Sequence, residues 1–368
     1  MGLVKDRIRG APLYEPRDYP ERLVARLDLN ENPGPVPGFV VEAVAEEARR
    51  ANRYPEKRLY DTLYELLEDY TGVDRNFLVF GPGSDSLLRA VFDAVVEPGD
   101  RVVYPSPGFA MYSVYAALSG AKAELVELSP CGDKWCLDLA ELIDRARDAQ
   151  LVVIDNPNNP TGALLLGRRD IVDLVEETEA VIVIDEAYYE FSGETVIDLV
   201  EEHERLVVAR TFSKAFGLAG LRIGYMAASR ELREAVWKLL APFPVPRTSL
   251  AAAIAALKHR GIVEKQVREI RGNRDWLRGE LLGMGIQAYR SWTNFLLADT
   301  GIPGVVNKLA EKGVMVRRVP MGDTWMRVTI GTRKELEALL KSLRQAKEQV
   351  VAKNKCFSRH RDENTHKP

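Results

Sequence analysis

The sequence predicts an α/β protein, with three α/β/α layers around a mostly parallel seven-stranded sheet and a smaller α/β domain at the C-terminal end. Three observations carry this expectation. Short apolar runs alternate with amphipathic helical stretches through the middle of the chain, as in a parallel sheet covered by helices. Several runs are rich in Val and Ile with little alternation, the composition of strands buried on both faces. The 368 residues suffice for one large and one small domain, each with its own core.

Taken in order, the candidate strands are 77–80, 101–104, 123–128, 151–154, 181–184, 206–210 and 223–227. Between them, residues 57–70 place Leu59, Leu63, Leu66, Leu67 and Tyr70 on one helical face, and Gly72 is a stop signal. Ser84 or Asp85 is a cap for a helix through Leu87, Leu88, Val91 and Val95. Three prolines in the run Ala241-Pro-Phe-Pro-Val-Pro246 break the pattern, and a long helical stretch and a short α/β segment follow. The expected division is an N-terminal arm over 1–45 packing with the small domain, a large domain over 46–240, and the small domain over 241–350. Residues 351–368 are polar and unpatterned and are predicted to be disordered.

Composition excludes several functions. With 51 basic and 54 acidic residues the net charge is −3, so bulk charge gives no basis for binding nucleic acid or a membrane surface. Cys131, Cys136 and Cys356 are too few and too scattered for a disulfide scaffold, and the four histidines offer no second half for a metal site. No run resembles a signal peptide or reaches the length of a membrane span, and a reducing cytoplasm fits best.

The chemistry concentrates in loops that follow strands. Thr211-Phe-Ser-Lys214 ends one strand, and a lysine there is easily desolvated, which lowers its pKa and makes it a usable Schiff-base nucleophile. Thr211 and Ser213 offer hydroxyls and Arg222 a fork for a phosphate beside that lysine. Val181-Ile-Val-Ile-Asp185 puts an acid at the carboxyl edge of the sheet, where ligands of open α/β folds sit. There it can pair with a pyridinium nitrogen. Asp155-Asn-Pro-Asn-Asn159-Pro-Thr-Gly162 fixes an unusual turn, from which Asn159 can donate to an anionic ring oxygen. Gly81-Pro-Gly83-Ser84-Asp85 joins a strand to a helix N-terminus, a ready anion site.

The runs 156–162, 185–191 and 213–225, in that order and spacing, resemble the class I/II aminotransferases of pyridoxal-phosphate (PLP) fold type I. The resemblance covers the chain from about Leu13 to Val350. It implies that PLP is carried on Lys214, which then moves a proton, with Asp185 on the pyridine nitrogen and Asn159 and Tyr188 on the ring oxygen. It further implies a phosphate cradle of Gly83, Ser84, Asp85, Thr211, Ser213 and Arg222, Phe109 stacked on the ring, and Tyr54 reaching the phosphate of a neighbouring subunit. Arg327 would grip the substrate carboxylate. The expected partners are a small-molecule amino donor, a 2-oxo acid and a second copy of the chain, in a homodimer with shared active sites.

Within that family, Pro12-Leu-Tyr14-Glu-Pro16, Asn30-Glu-Asn-Pro33 and Gly313-Val-Met-Val-Arg317 are most similar to the branch acting on histidinol phosphate. Tyr14, from across the dimer, and Arg317 would there hold the substrate phosphate, with Asn30 also at the substrate. Two departures are Arg317-Arg318 in place of the usual Arg-Asp and Ser86 where Glu is frequent. Aromatic or broad-range aminotransferases and threonine-phosphate decarboxylases share the chemistry. A non-catalytic PLP-sensing regulator would need a DNA-binding domain, for which there is no room before Leu13. A dead interaction protein would have no reason to keep Lys214, Asp185 and Arg327 together.

Overall fold

The computed structural model describes residues 3–11 and 18–364, with side chains through Val350. All seven candidate strands form one sheet: β1 (Leu78–Gly81), β2 (Arg101–Ser106), β3 (Lys122–Glu127), β4 (Leu151–Asp155), β5 (Val181–Asp185), β6 (Leu206–Thr211) and β7 (Gly224–Ala228). Their spatial order is β1-β7-β6-β5-β4-β2-β3. Strands β3, β2, β4, β5 and β6 run parallel to their neighbours in that series, whereas β7 is antiparallel to both β1 and β6. Strands β4, β6 and β7 are buried along their whole length, which is why their residues are apolar without alternation. At the edge, β3 is largely exposed and carries Lys122, Glu124 and Glu127.

This topology decides where function sits. The carboxyl ends of β1, β2, β4, β5 and β6 and the amino end of the reversed β7 open on one edge. Loops from six strands therefore converge there.

Helix α1 (Lys57–Thr71) buries Leu63, Tyr64 and Leu67, and Gly72 ends it in the left-handed conformation, φ 74°. Helix α2 (Ser84–Val95) differs from the expectation at its start. Gly83, φ 84°, is the N-cap and makes no side-chain bond, so Ser84 and Asp85 both lie inside the first turn. Strand β7 passes close to this start: a Cβ on Gly224 would stand 2.5 Å from the Ser84 nitrogen.

In the C-terminal part, β8 (Gln287–Ala288), β9 (Phe295–Asp299) and β10 (Trp325–Thr329) form an antiparallel sheet in that order. Ala25–Leu27 pairs in parallel with Val314–Val316. Helix Arg247–Lys258 packs on Gly38–Ala48 and α1, and the longer helix Arg260–Gly283 follows it. One apolar cluster runs through Leu27, Val40, Leu63, Leu250, Val314 and Leu336, joining both parts.

The last helix is Arg333–Asn364, with no glycine or proline inside it. One expectation is corrected. Cys131 and Cys136 form a disulfide, Cα–Cα 5.9 Å, across the hairpin of Ser129–Cys131 and Lys134–Cys136. Their five-residue spacing concealed the antiparallel pairing that brings them together. No helix among the described residues is long and apolar enough to cross a membrane.

Candidate active site

Lys214 lies in the turn after β6 and donates from Nζ to the Leu29 carbonyl at 3.1 Å. Burial, reinforced by the charge of Arg327, lowers its pKa to about 8. About a tenth of the amine is thus uncharged at pH 7, far more than for an ordinary lysine, as a nucleophile or base requires.

Asp185 closes β5 and is 5% exposed. Its Oδ2 accepts from the Tyr112 hydroxyl at 3.0 Å and its Oδ1 from the Ala187 N–H at 3.1 Å. Burial pushes this carboxyl up to about 7, against the lowering effect of those two bonds. A cationic group arriving at Asp185 would restore its charge.

Asn159 and Tyr188 stand in complementary hydrogen-bond states. The Asn159 Oδ1 accepts from Arg327 Nη1 at 2.6 Å, which turns its Nδ2 donor away from the arginine. The Tyr188 hydroxyl accepts from Asn30 Nδ2 at 2.9 Å, leaving its own proton to give. Burial raises the Tyr188 pKa to about 12, with Arg327 working in the opposite direction, so it remains a donor. Asn30 itself is 1% exposed, at φ 54°. It binds Thr329 through both its N–H and Oδ1, and its carbonyl accepts from Asn294. The expected substrate residue is therefore placed behind Tyr188. Arg327 also donates to the Asp28 carbonyl at 2.7 Å.

A separate group surrounds the start of α2. Thr211 Oγ1 and Ser213 Oγ are 3.0 Å apart, and Arg222 Nη1 donates to Ser213 Oγ at 3.4 Å. Arg222 Nη2 pairs with Asp85 at 2.9 Å. The carboxylate of Asp85 thus holds the arginine, and only its N–H is suited to an anion. A Cβ on Gly83 would come within 2.7 Å of Arg222 Nη2, so glycine is needed for the guanidinium to lie over the helix start. Two hydroxyls, a guanidinium and uncapped helix N–H groups make a cradle for a dianionic phosphate.

The remaining expected residues divide. Phe109 is half-buried and meets Tyr112 edge-on at 5.5 Å, beside the Asp185 carboxylate. Tyr54 is 73% exposed and stacks on Phe243 at 4.4 Å, apart from this group. Arg317 and Arg327 exchange both backbone hydrogen bonds, each 2.9 Å, so their side chains project on the same face. Tyr14 lies outside the described residues. Two contributors escaped the sequence reading: Tyr112, which holds Asp185, and Asp155, which holds Asn159. The three-residue spacing from Phe109 to Tyr112 was the available sign of the first.

Pyridoxal phosphate, implied by the resemblance, fits these donors: a phosphate cradle, a buried acid for the ring nitrogen, two donors for the ring oxygen and an amine of depressed pKa. The fold and this constellation define a class of enzyme that handles amino groups through a carbonyl cofactor bound to lysine. Residues 24–343 match the family model for aminotransferase class I and II, and the chain belongs to that family. Among curated relatives, histidinol-phosphate aminotransferase of Sulfurisphaera tokodaii is 38% identical over 86% of this chain and 89% of its own. Histidinol-phosphate aminotransferase 2 of Archaeoglobus fulgidus is 36% identical over 93% of this chain and 100% of its own. The solved histidinol-phosphate aminotransferase of Sinorhizobium meliloti, in complex with pyridoxal-5'-phosphate, superposes with TM-score 0.86 at 26% identity, covering 95% of this chain and 99% of that one.

Proposed function

We propose that this chain is a PLP-dependent aminotransferase that converts histidinol phosphate and 2-oxoglutarate into imidazole acetol phosphate and glutamate, as a homodimer with shared active sites. The curated relatives support the substrate. The observation that carries it here is the Arg317–Arg327 bridge, which sends two arginine side chains off the same face of the paired backbone. One suits a phosphate and the other a carboxylate. The exposure of Tyr54, which stacks on Phe243 and not on a cradle residue, supports a contribution to a partner's site.

When bound, the cofactor supplies an electron sink for the bond to the substrate's amine-bearing carbon. Lys214 Nζ would take the proton from that carbon and deliver it on the cofactor side, a role its depressed pKa suits. Asp185 would keep the ring nitrogen protonated, and Asn159 and Tyr188 would donate to the ring oxygen. Gly83, Ser84, Thr211, Ser213 and Arg222 would anchor the phosphate, Phe109 would lie against the ring, and Arg327 would orient the carboxylate of the second substrate.

Arg317→Ala tests the substrate. Loss of a charge-assisted contact costs about 1.5–3 kcal/mol, so kcat/KM for histidinol phosphate should fall roughly tenfold to a hundredfold. Activity with phenylalanine should hardly change. Equal losses on both, or a wild type preferring phenylalanine, would favour an aromatic aminotransferase.

A further inference from the structure

Asp155 closes β4 with its side chain 3% exposed, one strand away from Asp185 and in register with it. Its Oδ2 accepts the Asn159 N–H at 2.7 Å and its Oδ1 the Asn158 Nδ2 at 2.9 Å. The same Asn158 nitrogen also donates to the Pro107 carbonyl at 3.2 Å, in the loop that leads to Phe109. Two acceptors thus face two donors. Only a carboxylate presents a pair of acceptors and no donor in that space; an amide would turn one N–H against another. Beyond Asn159, the chain of contacts continues through its Oδ1 to Arg327.

A second acid next to Asp185 is costly in a buried position. Burial is the main cause that raises the Asp155 carboxyl to about 7, and its bonds to Asn159 and Asn158 oppose that shift. A turn that only had to close could use serine or a backbone carbonyl. What the carboxylate adds is a fixed Asn159 peptide, and with it one orientation of the Asn159 amide.

We propose that Asp155 is a positioning residue of transamination: through the Asn159 peptide it sets the Asn159 side chain between Arg327 and the cofactor's ring oxygen. Substrate carboxylate and cofactor ring are then aligned by one hinge. The inference rests on the aminotransferase reading of the site.

The test uses the intact enzyme with PLP bound. Asp155→Asn keeps the shape but breaks one of the two bonds. It should raise KM for 2-oxoglutarate about five- to tenfold with a smaller change in kcat, and shift the visible absorption maximum of the resting, cofactor-loaded protein. In an Asn159→Ala background the same substitution should add less than about twofold, because it acts through Asn159. Asp155→Ser serves as a second variant if the amide folds poorly. On the wild type, hydrogen exchange read by mass spectrometry should find the Asn159 amide protected. Unchanged KM and absorption in the folded variants, effects that multiply in full with Asn159→Ala, or an unprotected Asn159 amide would each overturn the proposal. A wild type without transaminase activity would instead remove the reading beneath it.

Discussion

Three carboxylates, the buried Asp155 and Asp185 and the half-buried Glu190, are pushed up to about 7, chiefly by desolvation, which also brings Lys214 down to about 8. For the acids, the folded protein holds protons that the unfolded chain releases at about 4. Their contribution to stability is complete below that pH and is lost as pH rises through 7. Lys214 acts in the opposite sense: its contribution is complete above about 10.5 and is lost as pH falls through 8. The cofactor-free protein should therefore melt about 5 °C or more lower at pH 7.5 than at pH 5. Asp185→Asn should flatten that fall, and Lys214→Met should remove the recovery between pH 8 and 10; thermal unfolding followed by circular dichroism checks both. A melting temperature that is level from pH 5 to 7.5 would count against the burial argument. At this scale, legibility depended on local pattern. Lys214, Asp185 and Asn159 stand in runs whose order and spacing point to them, and the structure brings them to one edge. Asp155 and Tyr112 gave weaker signs, because their importance depends on which strand lies beside which. Asn30 was legible as part of Asn-Glu-Asn-Pro but not its position behind Tyr188, which needs residues from β10 to close around it.

Strands β5 and β6 are bolted together behind the site. Arg210, 1% exposed, donates to Glu186 at 2.9 Å and to Thr195 at 2.6 Å, and its guanidinium lies 3.6 Å from the Tyr189 ring centre. Glu186 in turn accepts from the Val196 N–H at 2.8 Å. The bolt clamps the turn that bears Asp185 and Tyr188. Removing one partner of a buried ion pair leaves an uncompensated charge, so Arg210→Met should cost about 3–5 kcal/mol in urea unfolding. Adding Glu186→Gln should recover part of it, and cofactor retention should follow the same order. A loss below about 1 kcal/mol would mean that the pair does not hold the turn. Such bolts are hard to read in a sequence: Arg210 sits in a strand of Val and Ala, and nothing local marks it as paired. The strands themselves were legible to within a residue or two, the central ones because burial on both faces leaves an apolar run. The start of α2 was not: Gly83, and not Ser84 or Asp85, is its cap, next to a strand, β7, that lies far along the chain.

For the whole molecule, a homodimer with shared sites makes a sharp prediction. Inactive Tyr54→Ala and Lys214→Ala subunits, mixed and allowed to exchange, should regain roughly a quarter of wild-type activity, since half of the dimers are hybrids with one intact site of two. Absence of complementation, with hybrids shown to form by native mass spectrometry, would mean that each site is built within one chain. The proline-rich break after Leu240 was legible and falls between helices Arg230–Leu239 and Arg247–Lys258, whereas the partner of the N-terminal segment was not predictable in detail. Helix Gly38–Ala48 lies on Arg247–Lys258, and Ala25–Leu27 pairs with Val314–Val316. That parallel pair has a consequence for biosynthesis. Leu29, whose carbonyl accepts from the Lys214 amine, lies just past a strand that pairs with Val314–Val316, a segment synthesised well after the lysine loop. A ribosome that has finished the lysine loop has still to synthesise the residues that fix Leu29 and Arg327. The nascent chain should therefore expose a reactive lysine without its substrate clamp until residue 329 has left the exit tunnel, and premature termination before that point should yield a chain that cannot complete the site.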